Sequence, residues 1–198
     1  SLKDFQQMIL TTTELANVDA VQQFPSYFNY GIAFSYRIND RNSAGIAFTH
    51  YTTGGRNTVS DYSGKYFLNM ALQGNKFGAH YTYELEKIYQ FRPYFRFEAG
   101  VILSSFFVTE SLEVYPDFKS EDSYDFNSFS FVAEPAFGIE YPVYKSLSLD
   151  LSAGYEVNLE SEIKRVNSAD QVLKNQKGES IMLNWSGLRL NLGVAYSF

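Results

Sequence analysis

The chain has 198 residues, 45% of them hydrophobic and 18% aromatic, and a net charge of −6, enough for one domain and hardly for two. No run approaches the ~20 apolar residues that a membrane-crossing helix needs. Zero cysteines exclude disulfides and thiolate metal sites, and an acidic balance with no basic stripe argues against a nucleic-acid partner.

Residues 1–26 form an N-terminal segment without a clear signal. Leu2, Phe5, Met8 and Ile9 suit a helical face about as well as a strand face, so residues 2–12 are either a first strand or part of a tail or plug. The chain opens on Ser with no basic and apolar leader, so any export signal has been removed or left out. From residue 27 to 198 the pattern is a succession of strands. Phe28, Tyr30, Ile32, Phe34, Tyr36 and Ile38 alternate with Asn29, Gly31, Ala33, Ser35 and Arg37. Residues 39–42 then turn the chain into Ala44, Ile46 and Phe48, which predicts a hairpin with a tight polar turn.

Between Lys65 and Leu85 the apolar parity changes: Tyr66, Leu68, Met70 and Leu72 are even, whereas Phe77, Ala79, Tyr81, Tyr83 and Leu85 are odd. Either a β-bulge at 73–76 shifts one long strand, or Gly74-Asn75 makes a hairpin turn. Period-two alternation returns at 91–107 (Phe91, Phe95, Phe97, Ala99, Val101, Leu103 and Phe107 against Arg92, Tyr94, Arg96, Glu98, Gly100 and Ser104). It returns again at 129–141, where Phe129, Phe131, Phe137 and Ile139 oppose Ser130, Glu134, Gly138 and Glu140. From 147 to 159, Leu and Val oppose Ser148, Asp150, Ser152, Gly154, Glu156 and Asn158. At 181–198, Leu188, Leu190, Leu192, Val194, Tyr196 and Phe198 oppose Arg189, Asn191, Gly193, Ala195 and Ser197.

Strands of this length with one fat-like and one wet face predict an all-β fold, an up-and-down antiparallel transmembrane β-barrel of about eight strands. The excess of aromatics, Tyr 16 and Phe 18, suits the girdles of such a barrel. Taking 64–85 as one long strand puts the short links (39–42, 86–90, 142–146) on one side and the long ones (53–63, 110–124, 161–180) on the other. That asymmetry belongs to outer-membrane barrels and favours the bulge. It leaves seven strands from residue 27 where an even number is expected, and residues 2–12 are the candidate for the eighth. With a hairpin at 73–76 instead, eight strands are already present.

The alternating aromatic strands, the Tyr-Arg-Ile-Asn-Asp turn at 36–40, the Arg92-Pro93-Tyr94 strand start and the terminal Tyr196-Ser197-Phe198 together resemble the outer-membrane β-barrel superfamily of small outer-membrane-protein-A-like and X-like barrels. The resemblance implies fold and compartment, the outer membrane of a Gram-negative bacterium, with outer-membrane lipid around the barrel. It also implies that Tyr196 and Phe198 signal to the barrel-assembly machinery. It carries no ligand, cofactor or activity.

The inward face holds Arg37, Lys76, Arg92, Arg96 and Arg189 beside Glu84, Glu98, Glu134, Glu140, Asp150 and Glu156. At about eight strands an interior is just wide enough for side chains to fill, so these charges are expected to pair as a buried network rather than to line a pore. Catalysis is not expected, because Glu134 and Glu140 point into a filled interior. Only two histidines exist. His80 is expected to be a satisfied core residue, and His50 lacks the Ser motif of an outer-membrane lipid hydrolase. The acidic positions of 110–125 miss a Ca²⁺-loop spacing and read as a solvated loop, and Trp185 as an interface anchor. The expected role is structural: a membrane anchor displaying loops or a subunit docking against other outer-membrane proteins. A narrow conduit or binding barrel for small or hydrophobic molecules is the alternative.

Overall fold

The computed structural model describes residues 28–60, 62, 64–159, 161–166, 168–172 and 180–197. Residues 2–12, the candidate first strand, and Phe198 lie outside the described residues. The rest is all-β: β1 Asn29–Arg37, β2 Asn42–Ser60, β3 Gly64–Glu84, β4 Arg92–Val114, β5 Phe118–Tyr144, β6 Leu147–Asn158, the short β7 Ser161–Glu162, β8 Lys164–Arg165, β9 Ser168–Val172 and β10 Met182–Leu183, and β11 Gly187–Tyr196. The main strands pair antiparallel in the order β1-β2-β3-β4-β5-β6-β11, an up-and-down sheet curled into a half-barrel. Tyr51 on β2 reaches across the interior to Glu156 on β6 at 2.8 Å.

Local chemistry sets the short links. The Asn39 side chain accepts from the N–H groups of Arg41 and Asn42, both at 3.0 Å, an Asx-type turn that closes the first hairpin. Tyr89 and Lys145 take positive φ, 57° and 44°, in the other two.

β3 runs as one strand, and it contains neither a bulge nor a turn at 73–76. Its register with β2 passes without a break from Asn42↔Tyr83 to Ser60↔Lys65, and its register with β4 from Gly64↔Val114 to Glu84↔Tyr94. Even positions face inward along the whole strand, from Tyr66, Leu68, Met70 and Leu72 to Lys76, His80 and Thr82, all buried. The parity change in the sequence therefore marks a change in what surrounds each face. Near Gly74 the interior passes from polar to apolar.

The same exchange explains the links that read as long loops. Residues 53–60 belong to β2, and 110–124 form a hairpin of β4 and β5 around the turn at 115–117. β2 to β5 have 19, 21, 23 and 27 residues, while β1, β6 and β11 have 9, 12 and 10. The molecule thus has two levels. At the short-link level the outside is apolar: Phe77, Phe95, Phe97, Phe131, Leu151 and Leu192 are exposed, with in-register aromatic pairs such as Phe95–Phe137, ring centroids 5.2 Å apart. At the long-hairpin level Thr52, Arg56, Gln73, Glu121, Asp125 and Asn127 are exposed instead. The inside there is a hydrophobic core of Tyr51, Tyr66, Leu68, Met70, Leu72, Ile102, Phe106, Val108, Phe126 and Val132.

Candidate functional site: an interior charge network

At the short-link level the interior is built around Lys76. Its ammonium lies 3.0 Å from Glu98, 2.6 Å from Glu134 and 3.1 Å from Glu156. Antiparallel register places these groups: Lys76, Glu98 and Glu134 project inward from β3, β4 and β5, with Glu98 directly opposite Glu134. Glu156, fully buried on β6, also accepts from Tyr51 Oη at 2.8 Å and Arg189 at 2.8 Å. Arg189 and Lys76 each sit over the Tyr51 ring, at 5.3 and 6.0 Å from its centroid. Two buried carboxylates and the partly buried Glu98 thus share two cations, an arrangement stable only with near-ideal geometry and added hydrogen bonds.

The other expected members are dispersed. Arg92 meets Glu140 at 3.5 Å and Arg37 meets Glu84 at 3.2 Å, both partly exposed. Asp150 accepts from Tyr94 Oη at 2.5 Å and, among the described residues, from no arginine. Among the described residues Arg96 pairs with no carboxylate; it donates to Thr82 at 3.4 Å and lies over the Tyr94 ring at 5.0 Å. Sequence reasoning placed Lys76 inward without seeing it as the hub, and it missed Tyr51 and Tyr94, whose hydroxyls take acceptor oxygens that arginines were expected to hold. The alternation puts Tyr94 on the polar face but does not say what its hydroxyl meets, and the faces of β2 are read in the sequence only as far as Phe48.

Five inward glycines are covered by larger side chains, whereas a Cβ on Gly193 would meet only Asp150, at 3.9 Å. A Cβ on Gly78 would lie 2.8 Å from Glu98 Oε1, on Gly154 3.0 Å from Glu134 Oε1, and on Gly74 3.0 Å from the Trp185 ring. Tyr94 covers Gly138 and His80 covers Gly45 in the same way.

Trp185 is an interior residue, not an interface anchor. It is 4% exposed, its indole N–H donates to Ser104 at 2.9 Å, and its ring stands 5.4 Å from Tyr51. The segment between β6 and β11 carries it there: Ile163, Ile181, Leu183 and Trp185 all join the apolar core. Asn158 fastens this return, donating to Ser130 at 2.8 Å and accepting from the Trp185 N–H at 3.4 Å.

His80 faces inward as expected, with Nε2 2.9 Å from Ser35 Oγ, although its Nδ1 has no partner among the described residues. His50 projects from the outer face toward Asn75 at 2.8 Å and Tyr30, ring centroids 5.1 Å apart. Glu121, Asp122 and Asp125 are exposed on the β5 arm of the 110–125 hairpin, and no metal-holding cluster occurs among the described residues. Tyr196 ends β11 opposite Leu147. Comparison with protein-family models, curated proteins and solved structures finds no match to this chain.

Proposed function

We propose that the protein is an integral outer-membrane β-barrel with a filled interior, acting as a structural or interaction element. It anchors long β-hairpins outside the membrane or docks as a subunit of a larger outer-membrane assembly. The observation that carries this reading is the exchange of polarity between the two levels. β1 and β11, at 9 and 10 residues, match the roughly 9–11 residues of a tilted membrane-crossing strand, and β6, at 12, exceeds it by one. Only the longer strands extend past the apolar band, and there their outer positions turn polar.

Closure supports the same reading. Lipid tolerates no open sheet edge, and β1 and β11 are the two edges of the described sheet. They run in the same direction, so one further strand antiparallel to both would complete an eight-stranded wall. Outer-membrane lipid then surrounds the band, and the barrel-assembly machinery is the partner in biogenesis, recognising Tyr196 and Phe198. We propose no catalytic role: Lys76 and Arg189 engage the buried carboxylates, and His50 meets Asn75. The covered glycines weigh against a conduit. In detergent the protein should show heat-modifiable gel mobility and, in planar bilayers, no steady conductance. Solubility without detergent would overturn the membrane reading, and robust conductance the filled interior.

A further inference from the structure

One place in the apolar wall is incomplete. β5 and β6 pair in register at Ala133↔Val157 and again at Ala136↔Gly154, yet the two intervening pairs are missing. The register resumes unshifted, so the cause is a single absent donor. Leu159 donates to the Phe131 carbonyl at 2.9 Å, which makes alternate opposing pairs, and hence Pro135 opposite Tyr155, a hydrogen-bonding pair. Proline has no N–H, so the Tyr155 carbonyl receives no ladder donor from β5. Proline is rarely found in a central strand for this reason.

A shallow, open outward groove of 310 Å³ lies over this gap, with Pro135, Phe137, Ala153, Gly154, Tyr155 and Leu188 among its lining residues. Its lining is apolar apart from backbone. On the other side of the wall, Glu134 and Glu156 are held by Lys76 and offer no donor of their own. In the membrane placement proposed above, on which this inference rests, water is excluded from that depth, and an unsatisfied carbonyl there is costly.

We propose that the groove over the Pro135 gap is a lipid-binding site for an alkyl chain carrying a hydroxyl at mid-depth, the hydroxyl donating to the Tyr155 carbonyl. The chain packs between Phe137, Tyr155 and Leu188, and the small Ala153 and Gly154 admit it against the wall. The ligand class follows from the site: an apolar groove asks for hydrocarbon, and one orphan acceptor asks for one donor.

The test uses two photoactivatable fatty acids, one with a mid-chain hydroxyl and its deoxy counterpart, on the folded protein in a detergent without hydroxyl groups. Labelled positions are mapped by mass spectrometry. The hydroxylated probe should label the segments around Pro135, Ala153 and Leu188 roughly tenfold more than the deoxy probe, the ratio one hydrogen bond supplies away from water. Both should label Ala79 and Ala99 equally. Pro135→Ala restores the ladder N–H and should erase the preference, whereas Ala153→Phe fills the groove and should remove labelling there by both probes. Equal labelling of the wild-type groove, or a preference that survives in Pro135→Ala, would overturn the proposal while leaving the membrane reading intact. Failure of either probe to label any of the apolar band would overturn the membrane reading and this proposal with it.

Discussion

The two levels of the molecule are built from the same strands with opposite chemistry. Near the short links β3 turns Lys76, His80 and Thr82 inward and Phe77, Tyr81 and Tyr83 outward; near the long hairpins it turns Leu68 and Met70 inward and Asn69 and Gln73 outward. A period of two states which residues share a face. Which face is the dry one depends on what lies outside, and that can change partway along a strand. The short-link level, the lower one, is held by charges that must remain paired, and the long-hairpin level, the upper one, by ordinary apolar packing.

That difference predicts unequal costs for substitutions, read by equilibrium unfolding in urea with detergent or lipid present. Lys76→Met should be the most damaging, at about 3–5 kcal/mol, because it leaves the buried Glu134 and the partly buried Glu98 without their cation. A loss below about 1 kcal/mol would mean that water reaches the network. In the upper level Trp185→Ala should cost about 3 kcal/mol through the cavity it leaves and the lost Ser104 bond, and it should spare Lys76 and its partners. Gly154→Val should cost about 1–3 kcal/mol, since its side chain must displace Glu134; no effect would mean that the interior has room after all. Arg37→Met should cost under about 1 kcal/mol, because the Arg37 side chain is 56% exposed.

The strand faces of 129–141 and 147–159 were legible because lipid-like and polar positions alternate there over their full length. The inward set of charges followed from the same alternation. The β3 parity change was visible but invited a bulge, because a bulge is the local way to swap faces; the alternative needs the strand to leave one surrounding for another, which no local window reveals. For the same reason 53–60 and 110–124 read as loops: with polar residues outside and apolar ones inside, their alternation no longer matched the strands below. Trp185 and Tyr51 were misjudged or passed over since their partners, Ser104, Glu156 and each other, come from distant strands.

The central claim is that β3 keeps one register while its surroundings change. Spin labels placed singly at Asn69, Met70, Ala71 and Ala79 test it through accessibility to oxygen and to a water-soluble nickel chelate. Asn69 and Ala71 should be accessible to the chelate, Ala79 to oxygen, and Met70 to neither. Met70 as accessible to oxygen as Ala79, with Asn69 and Ala71 protected, would mean that the strand swaps faces after all and would contradict the account.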